Sequence, residues 1–516
     1  MGWEAADIAH YPEERKVARA DEWGGLESRC GLRVTVGSNP TPSAMRCRLA
    51  TALVAVAIIA AGCGGNSDDN GESRTAVPTA VAAASPNPVA TPAPESPRDP
   101  AEPAVAPTPA AAPTSVSSPT PDVTTWADPS DPYFALDRVL NISIEIDPED
   151  WDTLRHQTRT PADVQDEIVE FGFSQPFSNI YTWFSATVTV DGETHSEVGV
   201  RKKGFVGSQS DTKPSLKLRF DKYVDDQALG GVIERMAVNN SIQDASMLNT
   251  CLSYRIFAAT GSPAPRCNFA TVSVNGKQLG LYVHVEEIKD PFLSRHFESA
   301  EGNLYEGTVS DFTPTFRGTF EKKNNEDADD WSDIDAVVLA MQDQSESGFE
   351  ALARMVDMDR FLSFWATEVL VGHWDGYTGH RVNYHFYREP DGLFVFIPWG
   401  TDQTFPLSDD PNPYDTVADP PPSVMALTII PRRLYSHPDW RSAYVARLKE
   451  LLDTVWDEEE LLAEAEEMAA VVQQHALPEE RSAAAADTER VREFILERRD
   501  EILSDLTPVP PESPWQ

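Results

Sequence analysis

From residue 131 onward, apolar and polar positions follow regular patterns. "RVLNISIEIDPEDWDTL" sets Leu140, Ile142, Ile144 and Ile146 against Val139, Asn141, Ser143 and Glu145. This period of two predicts a half-buried strand, followed by a short helix starting near Pro148. "SATVTVDGETHSEVGVRKKGF" reads as two strands across an Asp-Gly turn, the strongest short hairpin signal. "KPSLKLRF" alternates again, with Leu216, Leu218 and Phe220 on one face and Lys217 and Arg219 on the other. After the strand-like "RMAVNN", the spacing of Leu248, Cys251, Leu252 and Ile256 predicts a helix over 244–259, capped by Asp244 or Ser246 and stopped by Gly261 and Pro263. "CNFATVSVNGKQLGLYVHVEEI" is a hairpin turned at Asn275 and Gly276. The first half is therefore expected to be an antiparallel sheet with one inserted helix.

The period then changes to that of helices. "DMDRFLSFWATEVLVGHW" places Phe361, Leu362, Trp365, Val369 and Leu370 on one helical face that ends just before Asp375, and the Leu/Ala/Glu-rich stretch 435–505 predicts two or three more helices. Between them, strand "YHFY", turn "EPDG" and strand "LFVFIP" double back. A hairpin returns the chain to its start, so Asp375, Asn383 and Asp402, which flank it, can converge. Three oxygen-bearing side chains at one point suit a hard cation such as Mg²⁺. The same segments, Asp-Gly, Pro-Asp-Gly and Gly-Thr-Asp, are also ordinary turn chemistry. The pattern predicts an α+β chain, β-rich first and mainly helical second.

Charge narrows the partners. With 42 basic and 83 acidic side chains the formal charge is -41, which repels nucleic acid and anionic lipid and favours solubility, cations or basic partners, the plainer alternative being a solvated acidic surface with no specific partner. Residues 64–130 hold 14 of the 41 prolines and show no aromatic before Trp126, so they are read as a disordered linker that cannot bury enough apolar surface to fold. Upstream, "MRCRLATALVAVAIIAAGCGG" has the basic start, apolar run and small-residue ending of a secretion signal over 45–63. Its "IAAGC" resembles a bacterial lipoprotein signal, which implies lipidation of Cys63 and anchoring to the outer face of the cell membrane. Residues 1–44 read as an over-extended start, and 507–516 as a disordered tail. Of five cysteines, only Cys251 and Cys267 then remain in the folded part. They can form a disulfide outside the cytoplasm or stay as two buried thiols. Without a CxxC or a Cys/His cluster, no structural zinc site is expected.

"GVRKKGFVGSQSDTKPSLKLRF", "RMAVNNSIQDASMLNTCLSYRIFAATGSPAPRCNFATVSVNGKQLGLYVHVEEIKDPFL", "HWDGYTGHRVNYHFY" and "FIPWGTDQTF" follow one another in an order that resembles the successive blocks of the CotH-type spore coat kinase family, from about residue 135 to 505. The resemblance implies an atypical protein-kinase-like, two-lobed fold that uses ATP and Mg²⁺ or Mn²⁺ to phosphorylate a protein acceptor, Ser-rich in that family. It implies Asp375 as catalytic aspartate and Asn383 and Asp402 as metal ligands. Arg201, Lys203 and Gly204 match a phosphate-covering turn. Lys213 and Lys217 match a "K-x-S-x-K" strand, with Lys217 favoured for the nucleotide phosphates, and Glu286 and Glu287 end the strand that would join the lobes and read the adenine. Two departures stand out. Asp375 and Asn383 lie farther apart than in the catalytic loop of ordinary kinases, and Gly400 in "PWGTD" replaces the first aspartate of the family's Pro-Trp-Asp-x-Asp. The alternative is a catalytically inactive, kinase-like surface or coat protein. A further reading takes "DDPNPYDTVADP" as a calcium-binding loop, although its spacing fits no EF-hand.

Overall fold

The computed structural model describes residues 128–406 and 421–514. The stretch 1–44, the signal-like run 45–63 with Cys63, nearly all of 64–130 and the acidic "DDPNPYDTVADP" lie outside them.

The first half runs β1 (Val139–Ile146), α1 (Pro148–His156), α2 (Pro161–Phe171), β2 (Phe184–Val190), β3 (Glu193–Lys202), β4 (Leu216–Arg219), β5 (Arg235–Asn239), α3 (Asn249–Ala259), β6 (Cys267–Val274) and β7 (Lys277–Val285). The strands do not form the open antiparallel sheet expected from their pattern. They close into a seven-stranded barrel in the order β1-β2-β3-β4-β5-β7-β6, through a parallel pairing that aligns Val139 with Phe269 and Ile144 with Val274. Closure removes both exposed sheet edges, and it encloses a core that includes Ile142, Val188, Val200, Leu218, Val238 and Val272. The short helix expected near Pro148 is present as α1, begun by Asp147 accepting from the Glu149 and Asp150 amides, whereas α2, begun by a reciprocal Thr160–Asp163 capping box, was not expected.

Because side chains alternate across a strand, β6 and β7 bury both faces. Ala270, Val272 and Tyr282 fill the barrel, while Phe269, Leu281 and Val283 pack with Leu252 and Phe257 of α3 in the larger second core. Cys251 and Cys267 are joined in a disulfide that fastens α3 to this outer face, across 16 residues of sequence. Reduction should lower unfolding stability by about 2–4 kcal/mol, read as a shift of the denaturant midpoint with and without a dithiol; an unchanged midpoint would show that packing alone holds α3. The helix itself starts at Asn249, later than residue 244. Asp244 instead accepts the amides of Met247 and Asn249, and Met247 has φ +64, so a tight turn precedes the helix.

His284 of β7 stacks on Phe134 with ring centroids 4.8 Å apart and shares a 2.8 Å hydrogen bond between Nδ1 and Asn268 Oδ1. Burial pushes its pKa down to about 3, against an upward pull from Glu286. A histidine whose folded pKa is depressed contributes stability that is complete above its unfolded value of about 6.5 and is lost as pH falls toward the folded value. Unfolding midpoints should therefore fall between pH 7 and 4, and His284→Asn should flatten part of that slope. An unaltered slope in the variant would place the acid sensitivity elsewhere.

The second half runs α4 (Asp290–His296), β8 (Asn303–Gly307), β9 (Phe320–Lys322), α5 (Ser332–Gln342), α6 (Glu346–Ala353), α7 (Met358–Leu370), β10 (Tyr384–Arg388), β11 (Phe394–Pro398), α8 (Ile429–Ser436), α9 (Pro438–Thr454), α10 (Glu458–His475) and α11 (Arg481–Asp505). The expected hairpin, β10–β11, is present as half of a four-stranded sheet ordered β11-β10-β8-β9. Its aromatic face meets α7, where Phe361 and Phe396 lie edge-on at 4.9 Å. Beyond α11 the chain does not leave the fold as the expected tail: Tyr435 Oη donates to Pro511 O at 2.8 Å and Ser513 is buried. From Pro129 on, the described residues group as one compact unit with two main hydrophobic cores. Among the described residues, no helix is long and apolar enough to cross a membrane.

Candidate active site

Helix α7 is buried along its length from Phe361 to Leu370, including the carboxylate of Glu368. A carboxylate in such a place must be hydrogen-bonded. It accepts the amides of Tyr377 and Thr378 at 2.9 and 2.8 Å and the Thr378 hydroxyl at 2.5 Å. Glu368 thereby folds the loop after α7 back over the helix end. The loop is tight enough to need glycine twice. A Cβ at Gly376 would lie 2.2 Å from Glu368 Oε1, and one at Gly379 would lie 1.9 Å from the Trp374 carbonyl oxygen.

This turn holds Asp375 fully buried. Asn383 Nδ2 donates to the Asp375 carbonyl and to its Oδ2, both at 2.9 Å. Asn383 has φ +54, a left-handed conformation that Asn tolerates better than most side chains. Its Oδ1 is buried and has no hydrogen-bond partner among the described residues.

Asp402 lies on the strap 399–405. The Trp399 amide donates to Asn383 O at 3.2 Å and the Phe405 amide donates to Val371 O at 2.8 Å. The two ends of the strap are thus tied to the two ends of the segment that carries Asp375 and Asn383. Helix α3 holds the middle: Asn249 Nδ2 donates to the carbonyls of Asp402 and Thr404 at 2.9 and 3.0 Å. Asp244 lies under this contact. Burial pushes its carboxyl up to about 7, against donation by the Ser246 hydroxyl, and the charges of Asp487 and Asp402 add to the rise.

The basic candidates separate into three environments. Lys203 donates its amide to Ser215 O at 2.9 Å and Nζ to Asn239 Oδ1 at 2.5 Å, and Nζ stands 5.6 Å from the centre of the Trp399 ring, at the root of the Asp402 strap. Its neighbour Lys202 points the other way, to Arg155 O. Arg201 faces Lys217 across β3–β4 and stacks on Trp183, while Lys217 pairs with Glu287 at 3.0 Å. Lys213 pairs instead with Glu480 at the start of α11 and lies over Tyr282. Glu286 is enclosed by Arg266 and Arg295, whose guanidinium groups hold its carboxyl below the usual range against the opposing effect of burial. Gly204, at φ +116, opens the loop toward Ser215; a Cβ there would meet Ser208 Oγ at 2.4 Å, and Asn240 Nδ2 pins the loop through Ser208 O and Lys213 O.

The strap that carries Asp402 is therefore tied to the segment that carries Asp375 and Asn383 and has Lys203 at its root, while Arg201 and Lys217 lie on β3 and β4 with Glu287 just past β7. Lys213 and Glu286 are engaged in ion pairs with the helical half and with Arg266. Sequence reasoning missed Glu368 and Asn249. Glu368 carried a signal, being the one charged side chain between Phe361 and Leu370, whereas Asn249 carried none. Among the described residues no three His, Cys, Asp or Glu side chains gather as a metal cluster. The candidate donors are the Asp402 carboxylate and the Asn383 amide oxygen, an all-oxygen pair that fits a hard divalent cation.

The sequence pattern of the family described as CotH kinase protein matches residues 200–502. Inner spore coat protein H of Bacillus subtilis is 26% identical over 181 residues, which is 33% of this chain and 49% of that protein. Invasin CotH2 of Rhizopus delemar is 23% identical over 186 residues, 33% of this chain and 31% of that protein. The matches thus span half or less of these relatives' own length. A solved complex of HipA, HipB and operator DNA from a Shewanella oneidensis MR-1 toxin–antitoxin system aligns with 56% of this chain and 65% of that chain at 15% identity; its TM-score of 0.29 carries no argument. Matched by the family's pattern over more than half of its residues, the chain belongs to the CotH kinase protein family.

Proposed function

We propose that this protein is an atypical kinase with a two-lobed, kinase-like arrangement, moving the terminal phosphoryl group of ATP to a Ser or Thr hydroxyl of a protein acceptor. The observation that carries the reading is Asn383, whose amide N–H groups fix Asp375 while its buried Oδ1 accepts no hydrogen bond from the described residues. Asp375 takes the acceptor hydroxyl proton as the oxygen bonds to phosphorus and the bond to the ADP oxygen breaks. Asn383 and Asp402 would hold Mg²⁺ or Mn²⁺, which when bound neutralises charge on the phosphates. Lys203, Arg201 and Lys217 bring positive charge to the same region, and the Gly204 loop covers the phosphates. With Glu286 enclosed by arginines and Glu287 paired with Lys217, Glu287 is the glutamate of the two that stands beside the residue assigned to the phosphates.

The relatives named as a spore coat protein and an invasin support a place on the cell surface. Lipidation at Cys63 would supply the membrane anchor, and the net charge of -41 favours a basic or Ser-rich acceptor and no nucleic acid. The reading is tested by incubating the full-length protein with Mg²⁺ and ATP labelled at the terminal phosphate, together with a Ser-rich acceptor peptide. Labelled acceptor is expected; neither bound nucleotide nor label would sink the enzyme reading.

Gly400 favours a second reading, a binding or assembly protein that has lost the chemistry. It sits at φ +54, where glycine is unstrained and Asp is one of the better-tolerated alternatives. If the chemistry has been lost with this carboxylate, Gly400→Asp should restore nucleotide-dependent labelling that the natural chain lacks. In an active enzyme the same substitution should change the rate only modestly.

A further inference from the structure

The Asp402 strap contains the most permissive backbone position available to it. Gly400 lies two residues before Asp402, and a glycine loses more conformational freedom on ordering than any other residue. The strap is nonetheless buried, and its central carbonyls need donors. Asn249 supplies them from outside: its Nδ2 donates to Asp402 O and Thr404 O. The neighbours of Asn249 on α3 take the same strap, Ser253 through the Thr404 hydroxyl at 3.0 Å and the Thr250 carbonyl through the Thr401 hydroxyl at 3.4 Å. Asn249 is itself fixed, since its amide donates to Asp244 Oδ2 at 3.0 Å and the residue is 1% exposed.

We infer that Asn249 is the positioning residue of the cation site, holding the Asp402 carboxylate in ligating geometry despite the freedom of Gly400. The inference rests on the proposed function for the cation, but the grip on the strap does not. A short side chain that spans two carbonyls on either side of Gln403 cannot be replaced by Gln, whose extra methylene displaces the amide, nor by Asp, which has no N–H to give. Ligand-orienting partners of this kind are worth about 10–100-fold in metal affinity.

The test uses the full-length protein, with Asn249→Ala against Ile142→Ala, a barrel-core variant placed to lower the melting temperature without touching the strap. Two quantities are read: amide hydrogen exchange of the peptide covering 399–405, and Mn²⁺ affinity by electron paramagnetic resonance. Asn249→Ala should speed exchange of that peptide at least tenfold and weaken Mn²⁺ binding about 10–100-fold, with neither change in Ile142→Ala. Unchanged exchange overturns the inference, and so does faster exchange with wild-type Mn²⁺ affinity. If the unsubstituted protein binds no Mn²⁺, the proposed function falls, and exchange of the strap alone decides whether Asn249 positions it.

Discussion

Asp375→Asn should lower phosphoryl transfer by about 10²–10⁴-fold, the usual contribution of a positioned general base, while leaving the melting temperature close to that of the natural chain. Asn has the shape of Asp, and Asp375 is held by its backbone carbonyl as well as by its side chain, both through Asn383 Nδ2. The turn around it is fixed independently by Glu368 and by the close packing at Gly376 and Gly379. What the substitution removes is the ability to accept a proton. Mg²⁺-dependent nucleotide binding should survive, because the cation donors Asn383 and Asp402 are untouched. A variant with near-normal transfer would remove Asp375 from the chemistry; one that fails to fold would show that its charge is structural.

Asn383→Ala should act on both halves of the site. It deletes the two donors on Asp375 and the buried amide oxygen, and it leaves φ +54 to a residue without the Asn side chain that tolerates it. Leaving a buried carboxylate short of a donor costs about 1–3 kcal/mol, and the left-handed backbone costs about 1–2 kcal/mol more without an Asn side chain. Transfer should fall at least about 10²-fold, and the Mg²⁺ concentration for half-maximal rate should rise about 10–100-fold. Asn383→Gly separates these effects, because glycine relieves the backbone but restores neither donor nor ligand. It should regain part of the stability and none of the activity. Recovery of transfer in Asn383→Gly would show that only the backbone conformation matters there.

The parts of this fold that a local pattern can carry were readable. Alternation marked β1 to β7, and the apolar stripe from Phe361 marked α7. Barrel closure was not readable, because it depends on a parallel pairing between Val139 and Phe269, and strand period says nothing about which distant strand will be met. Helix α2 was missed although its Thr160–Asp163 capping box was present in the sequence. The site shows the same division. The return of the strap 399–405 to the segment that carries Asp375 and Asn383 was readable, because a hairpin brings the chain back to its start. The fate of the basic residues could not be read: Lys213 meets Glu480, 267 positions away, and Glu286 meets Arg266 and Arg295 across a strand and a helix. Asn249 was invisible for the same reason, its two acceptors lying more than 150 residues farther along.

The central claim is that Asn383 and Asp402 hold one divalent cation beside Asp375. Crystals of the protein grown with Mn²⁺ and a non-hydrolysable ATP analogue, with diffraction recorded at the manganese absorption edge, test it most directly. The account predicts an anomalous peak about 2.0–2.3 Å from Asn383 Oδ1 and from an Asp402 carboxylate oxygen, on the side facing Lys203. A nucleotide bound with manganese elsewhere, or manganese held by neither residue, would contradict it.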